Sequence, residues 1–486
     1  MPFTEEEIQF ALGTVESSKA PGPDGFNMRF LKKFWPSLKD EILDFFCKFY
    51  KGEVLDFSFN HSFIVVIPKN HNPNTIEDFR PISLVSSVYK LLSKVLVIRL
   101  GSVLEGIIGD QQFAFCPGKQ ILDCSLIANE VIDFTRRKVL EGVIFKADFR
   151  KAYDTIDWGF LLVIVKKLGF GSVWCQWIST CLFTLYISVL VNGSPTPPFA
   201  IGRGLRQGCP LLPMLFNIVA EALSALLRKA TSCGFFSGFH IGQNKIEVSH
   251  IQFVDDLILF CRAVETQIKN VVRILKDFEL AAGLKLNLPK SKLFGVNVDD
   301  LKIESWAALL HCKSEKLPCQ YLGLPLGAIR NSLQLWSPIV EKFRRKLAGW
   351  KSRLLSFGGR VTLVKSVSAS LPVYLMSLFL MPAAVNSIIT SLCLVNFKAK
   401  NRVLLNKWLW RFGSETDSLW RKVVNARYEE KDGSLLPANL KMANKSWIWR
   451  NIISPLSEDD NLFKLNIRLT VGNGKIGVLL LILAGF

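Results

Sequence analysis

The sequence predicts an α+β fold, and three observations carry that expectation. Two short runs of β-branched and bulky residues, Val143–Asp148 and His250–Cys261, have the composition of strands, and each ends in or encloses acids. Longer stretches with apolar residues at helical spacing, such as Val85–Leu104, Met214–Lys229 and Thr266–Ala282, alternate with them. Clusters of Gly, Pro and Asn punctuate the two kinds of segment, as in Lys19-Ala-Pro-Gly-Pro-Asp-Gly25 and Asn192-Gly193.

Thr4 with Glu7 fits a capping box for a first helix whose apolar positions are Ile8, Leu12 and Val15. After the Pro/Gly-rich loop, Phe30–Tyr50 reads as one helix with an aromatic face. Phe63–Lys69 is a strand, and a polar loop then leads to Asp78-Phe79-Arg80-Pro81. Lys69 and Arg80 either clamp phosphates together or stand as two solvated surface cations. Val143–Asp148 ends in an acid, and Phe149–Asp154 at once starts a helix through Trp158 to Leu168. Tyr153, one helical turn on, can wall the same pocket. Ser188–Val191 is a strand entering a tight turn at Asn192-Gly193. Arg203–Pro210 is a Gly-rich basic loop opening the helix Met214–Lys229, and its backbone amides with Arg203 and Arg206 suit a phosphate or a nucleotide edge. Gly283–Asn287 and Lys290-Ser-Lys292 form a basic loop and strand, and Tyr321–Gly327 a short strand or turn. From Lys342 to Lys365 eight basic residues interleave with Trp350, Leu354, Leu355 and Phe357, which suits either a grip on a nucleic-acid backbone or a charged face over a core. Beyond Lys398, Trp408, Trp410, Trp420, Trp447 and Trp449 mark a separate small helical segment.

Composition narrows the function classes. With 49% hydrophobic and 21% charged residues, the 486-residue chain is globular rather than disordered. The excess of 60 Lys plus Arg over 41 Asp plus Glu leaves +19, which points to a polyanionic partner such as nucleic acid or an anionic membrane. Eleven cysteines without a CxxC pair, and five histidines away from ligand spacing, read as reduced, mostly buried thiols in an intracellular protein. Prolines interrupt the uncharged stretches Leu168–Gly202 and Ser366–Phe397, so neither is a clean membrane span and no membrane partner is expected.

The chemistry centres on His250–Cys261, where Asp255 and Asp256 sit at the tip of a hairpin. Adjacent acids against a buried sheet repel each other unless they share a cation, although an Asp-Asp pair in a turn is often only turn chemistry. Asp148 supplies a third acid at another strand end. Three carboxylates on adjacent strands can hold two magnesium ions about 3.5–4 Å apart, one activating a 3′-hydroxyl and one steadying pyrophosphate. That chemistry is nucleotidyl transfer.

In their order along the chain these segments resemble the reverse transcriptase of plant non-LTR (LINE-type) retrotransposons. The resemblance rests on Lys19–Gly25, Phe79-Arg-Pro-Ile-Ser-Leu84, Phe145-Lys-Ala-Asp-Phe149, Lys151-Ala-Tyr-Asp154, Gly204-Leu-Arg-Gln-Gly208, Phe253-Val-Asp-Asp256, Tyr321-Leu-Gly-Leu-Pro325 and Leu355-Ser-Phe-Gly-Gly-Arg360. It implies a right-hand polymerase of fingers, palm and thumb with a helical C-terminal region. It also implies catalysis by Asp148, Asp255 and Asp256 through two Mg2+ ions, on an RNA template, a DNA primer and deoxynucleoside triphosphates. Tyr153 then matches the residue that screens out a ribose 2′-hydroxyl, and Lys69 and Arg80 match finger residues that hold the triphosphate. Gln207 and Gly208 match the loop that positions template and nucleotide, and Lys290 falls in the later palm motif. The implied division is an N-terminal helical extension (1–60), fingers and palm (61–330), a basic thumb-like region (331–397) and a partial Trp-rich region (398–486). Nuclear localisation is implied by the resemblance alone.

The chain departs from the family pattern in places. Cys209 and Leu212 stand where an Asp and a Ser are usual, Val254 where an alanine is usual, and a segment is skipped across Ile388–Val395. The tail after Val471-Gly-Asn-Gly474 is expected to lack the family's tryptophan-rich continuation, and the chain to lack an upstream endonuclease segment. The expectation is therefore a truncated or degenerate copy with its acid triad intact, and the rival reading is a catalytically inactive nucleic-acid-binding remnant.

Overall fold

The structure is a computed structural model that describes residues 1–53, 56–243, 246–328, 333–346, 356–362, 368–392, 396–430, 434–438, 440–457, 467–472 and 475–480. Two mixed sheets and a shell of helices make up the α+β architecture. In the first sheet the antiparallel pair His61–Pro68 and Phe79–Val85 is extended by Tyr186–Val191, which runs parallel to the former. The second sheet runs Lys313–Ser314, Lys292–Val296, Gly142–Ala147, Asp256–Arg262, His250–Phe253. Its central strand Gly142–Ala147 is antiparallel to both neighbours.

Alternation along the second sheet divides the protein into two cores, because successive strand residues face opposite sides. Val143, Phe145, Leu257, Leu259 and Leu293 face the helices Leu212–Ser232 and Glu265–Ala282, and this core continues into the N-terminal helices. Ile144, Ile258, Phe260 and Phe294 face the helix Ile121–Arg137 and, beyond it, the tryptophans of the C-terminal helices. Each apolar side chain fully buried in this way contributes about 1.5–3 kcal/mol.

Two helices differ from the sequence expectation. Phe30–Tyr50 is not continuous: Met28–Lys33, capped by Asn27, stops at Phe34, and Trp35–Lys51 starts anew. Pro36 is the reason, since a residue without an N–H is accommodated in a first turn but not in a helix interior. The helix expected from Phe149 begins only at Trp158, with the Asp157 carboxylate accepting from the Phe160 N–H at 2.7 Å. The residues before it are held in turns by other partners. The Tyr153 and Ile156 carbonyls accept from the N–H groups of Leu205 and Gly204, and Lys151 takes φ 49°.

Thr4 caps the first helix, Glu5–Thr14, through the Glu7 N–H, but the Glu7 carboxylate pairs with Arg99 at 2.6 Å, so only half of the expected capping box forms. The basic stretch 342–365 is described only in part. Lys342, Arg344 and Arg345 are exposed on the helix Leu333–Lys346, and residues 347–355 and 363–367 lie outside the described residues. Of the skipped junction 388–395, the last three residues also lie outside them. Among the described residues no helix is long and apolar enough to cross a membrane.

The helices Phe397–Ser414 and Leu419–Tyr428 are tied to Ile121–Arg137 by buried ion pairs. Arg411 grips both oxygens of Asp123 at 2.7 and 3.0 Å, and Arg427 pairs with Glu130 at 2.7 Å and with Asp133. The Tyr428 hydroxyl donates to Glu130 at 2.6 Å. Deleting one partner of such a pair leaves the other charge buried and alone. Arg411→Ala is therefore expected to cost about 3–5 kcal/mol in urea denaturation. A cost below about 1 kcal/mol, the worth of an exposed pair, would refute this account of the docking.

Candidate active site

The antiparallel pairing of Ala147 with Leu257 brings Asp148, the residue that follows the central strand, opposite Asp256. Asp255 belongs to the two-residue turn that joins His250–Phe253 to Asp256–Arg262. Val254 in that turn has φ 58°, a conformation that a β-branched residue adopts only under external constraint. The constraint is Gln252, a buried residue whose side-chain amide donates to the Val254 carbonyl at 3.0 Å. Its main chain is fastened in turn to Gln111 and Phe113.

The three acids feel one another. Burial pushes the Asp255 carboxyl above the ordinary carboxylate range, and the charges of Asp256 and Asp148 push it further, against a hydrogen bond from its own backbone N–H. Burial likewise raises Asp256, with Lys146 opposing and Asp148 adding to the shift. Tyr153 is half-buried, its ring 4.9 Å from that of Phe216. Its hydroxyl is pushed up to about 12 by burial and by the charges of Asp255 and Asp256, which places it beside the acids. Among the described residues no three His, Cys, Asp or Glu side chains stand close enough to hold an ion as placed. The donor set nevertheless suits a hard divalent cation: partly buried carboxylates of like charge, with Lys146 as the cation acting on Asp256.

The remaining sequence-predicted residues surround this cluster rather than join it. Lys69 and Arg80 are both exposed on the first sheet's hairpin, where Arg80 pairs with Ile67. The Lys69 ammonium donates to the Glu77 carbonyl at 2.6 Å, and its charge acts on Asp154. Glu77 reaches Arg150 at 3.2 Å, so the hairpin touches the segment just after Asp148. Gln207 lies against the same sheet, its carbonyl accepting from the Ser83 N–H at 2.7 Å. Gly208 has φ 105°, and a Cβ there would come within 2.8 Å of the Ser83 carbonyl oxygen. Between sheet and loop lies a cleft of about 190 Å³ lined by Ile64, Ser83, Asp154, Arg203 and Gln207. Lys290 is exposed, one turn beyond Asn287.

One expectation for the loop is corrected. Arg206 is not a free phosphate ligand: it is buried, donates to the Asn60 carbonyl and the Ser62 hydroxyl, and stacks 4.0 Å over Tyr89. Cys209 is also buried, its thiol 3.8 Å from the Tyr89 hydroxyl, so it sits in the core under the loop. Sequence reasoning missed Gln252, Lys146 and Asn287. Asn287 lies three residues before Lys290, and its amide donates to Asp148 Oδ2 at 2.9 Å.

Comparison with known proteins decides the family. Residues 67–326, more than half of the chain, match the reverse transcriptase (RNA-dependent DNA polymerase) family. The chain belongs to that family. It is 28% identical over 373 residues to the transposon TX1 uncharacterized 149 kDa protein of Xenopus laevis, covering 76% of this chain and 28% of that protein. It is 27% identical to the Pol polyprotein of the type-1 retrotransposable element R2 of Popillia japonica, covering 60% of this chain and 39% of that one. The reverse transcriptase domain is thus of the non-LTR retrotransposon type, and the chain spans about a quarter to two-fifths of these relatives' length. Among solved structures, a Candida albicans telomerase in complex with a fragment of telomeric RNA aligns at 13% identity with a TM-score of 0.38, over 80% of this chain and 67% of that one. The fold is the right-hand polymerase fold of the family, with a helical C-terminal region.

Two outcomes follow from the geometry. Gly208→Ala forces a side chain into a backbone conformation reserved for glycine, at an expected cost of about 1–3 kcal/mol by urea denaturation; an unchanged midpoint would show that the loop has room to shift. Asp255→Asn, with metal chelated, should raise the thermal midpoint. The folded-state pKa of Asp255 lies above 3.8, so its contribution to stability falls as pH rises through that raised value and stays lost at neutral pH. The gain should therefore vanish toward pH 4 and be complete at pH 7, and a gain independent of pH would contradict the cost of burying this charge beside its neighbours.

Proposed function

We propose that this chain performs RNA-directed DNA synthesis, adding deoxynucleotides to a DNA 3′ end at the cluster of Asp148, Asp255 and Asp256. The observation that carries the reading is the convergence of three acids from two paired strands within a domain of the reverse transcriptase family, with Tyr153 against them. The 3′-oxygen attacks the α-phosphorus, the bond to pyrophosphate breaks, and the 3′-hydroxyl loses its proton. Two magnesium ions bound to the acids would supply the charge neutralisation that attacking and leaving oxygens require.

The chain's own groups have separate tasks in this reading. Asp148, Asp255 and Asp256 hold the ions, and Tyr153 narrows the pocket against a ribose 2′-hydroxyl. Lys69 and Arg80, exposed on the hairpin, receive the triphosphate, for which the Lys69 ammonium must leave the Glu77 carbonyl. Gln207, on the cleft wall, and Gly208 beside it support template and nucleotide, and Lys290 acts from the turn that follows Asn287. The exposed Lys342, Arg344 and Arg345 contribute to a grip on the duplex. The finer assignment to the plant LINE-type lineage rests on the motif order, that of a degenerate copy on Cys209 and the shortened junction near 388–395, and nuclear localisation on the family resemblance alone. The burial of Cys209 under the loop favours a working site over an inactive remnant, because the substitution replaces a core group.

The test is magnesium-dependent extension of a DNA primer on an RNA template by the purified chain. Asp255→Asn should slow extension by a factor on the order of 10³ or more, since it removes several kcal/mol of charge stabilisation, while salt-sensitive template binding persists. Extension that survives in the variant, or is absent from the wild type, would sink the proposal.

A further inference from the structure

Asp148 is held by a partner that the polymerase chemistry does not itself require. The segment Lys285–Ser291 lies antiparallel to Asp148–Arg150: Phe149 bridges Leu286, and the Arg150 N–H donates to the Lys285 carbonyl at 2.8 Å. At Asp148 the pairing becomes a closed ring of hydrogen bonds. The Asn287 N–H donates to the Asp148 carbonyl at 2.7 Å, and the Asp148 N–H donates to the Ser291 hydroxyl at 3.1 Å. That hydroxyl in turn donates to the Asn287 carbonyl at 2.9 Å. Ser291 is fully buried, and its N–H also donates to the Asn287 carbonyl at 2.9 Å, so the Asn287 backbone is fixed from both sides.

From that fixed backbone the Asn287 amide nitrogen donates to Asp148 Oδ2 at 2.9 Å. This occupies one carboxylate oxygen and leaves Oδ1 without a protein donor among the described residues. The charge of the carboxylate acts on Asp255 and Asp256. The clamp is also neutral. A lysine or arginine in its place would cancel the charge that a cation needs, whereas an amide holds the side chain and leaves the full charge in place.

We propose that Asn287 is the positioning residue of the acid cluster: it locks the Asp148 carboxylate so that Oδ1 is offered to the divalent ion. The inference rests on the reading of Asp148 as a metal ligand. Its effect acts through metal affinity.

The experiment is Mn2+ binding to the full chain without nucleic acid, followed by electron paramagnetic resonance, for wild type, Asp148→Asn, Asn287→Leu and Asn287→Gln. Asn287→Leu keeps nearly the same shape without a donor and should weaken Mn2+ binding by about 10–100-fold, the usual effect of losing a group that orients a ligand. Asn287→Gln, which retains an amide, should recover most of that loss. In primer extension the leucine variant should need correspondingly more Mg2+ for half-maximal rate, with an unchanged KM for the deoxynucleotide and a near-wild-type rate at saturating Mg2+. A merely structural role would instead lower the rate at every Mg2+ concentration. Should the leucine variant fail to fold, Asn287→Ser, too short to reach Oδ2, is read in its place. Equal Mn2+ affinity in wild type and donor-free variant, with binding lost in Asp148→Asn, overturns the role of Asn287 and leaves the metal site standing. No Mn2+ binding by the wild type overturns the metal site itself, and this inference with it.

Discussion

Three carboxylates crowd one end of a sheet whose two faces are both buried, and the surrounding layers answer to that repulsion. A strand end cannot move away from its neighbour without breaking the ladder that Gly142–Ala147 forms with Asp256–Arg262 on one side and Lys292–Val296 on the other. Burying and fixing like charges in this way is unfavourable by itself, and burial first, with the neighbouring carboxylates adding to it, raises the proton affinities of Asp255 and Asp256. The cores on either face supply the compensating stability, and a cation-seeking cluster is what remains at the sheet end.

The same economy appears in the groups that hold the acids. Gln252 keeps Val254 in a left-handed turn, and Asn287 fastens Asp148 from the opposite side. Both are neutral amides, one on a strand and one on a loop whose backbone is fixed by hydrogen bonds, so they orient without neutralising. Lys146 acts on Asp256 from the central strand and is itself anchored to the Gln320 carbonyl at 3.1 Å, which holds it at the sheet rather than over the cluster.

The C-terminal helices belong to this arrangement through the second face of the sheet. The helix Ile121–Arg137 packs under Ile144, Ile258 and Phe260 and presents Asp123 and Glu130 outward to Arg411 and Arg427. Buried ion pairs of this kind add little net stability over apolar contacts, yet they accept only one partner geometry. They therefore set where the tryptophan-rich helices dock, and residues far beyond the sheet bear on the packing behind the acids.

Much of this was legible in the sequence because it depends on local chemistry. The hairpin around Asp255 and Asp256, the strand ending at Asp148 and the helices Ser87–Leu104, Leu212–Ser232 and Glu265–Ala282 follow from strand and helix periodicity. Local reasoning failed where distant backbone claimed the hydrogen bonds. Phe149–Asp154 has a helical composition, but the carbonyls of Tyr153 and of nearby Ile156 serve the Gly204 loop, and the helix waits for Asp157. Arg206 reads as a phosphate ligand by its place in a Gly-rich basic loop, and only packing against Tyr89 turns it inward. By itself the sequence determined which residues carry charge and chemistry and in what order, because that order is covalent. The tertiary structure alone decided which oxygens and amides meet, as with Asn287 at Asp148, because a contact across 139 residues depends on sheet register, which no local pattern encodes.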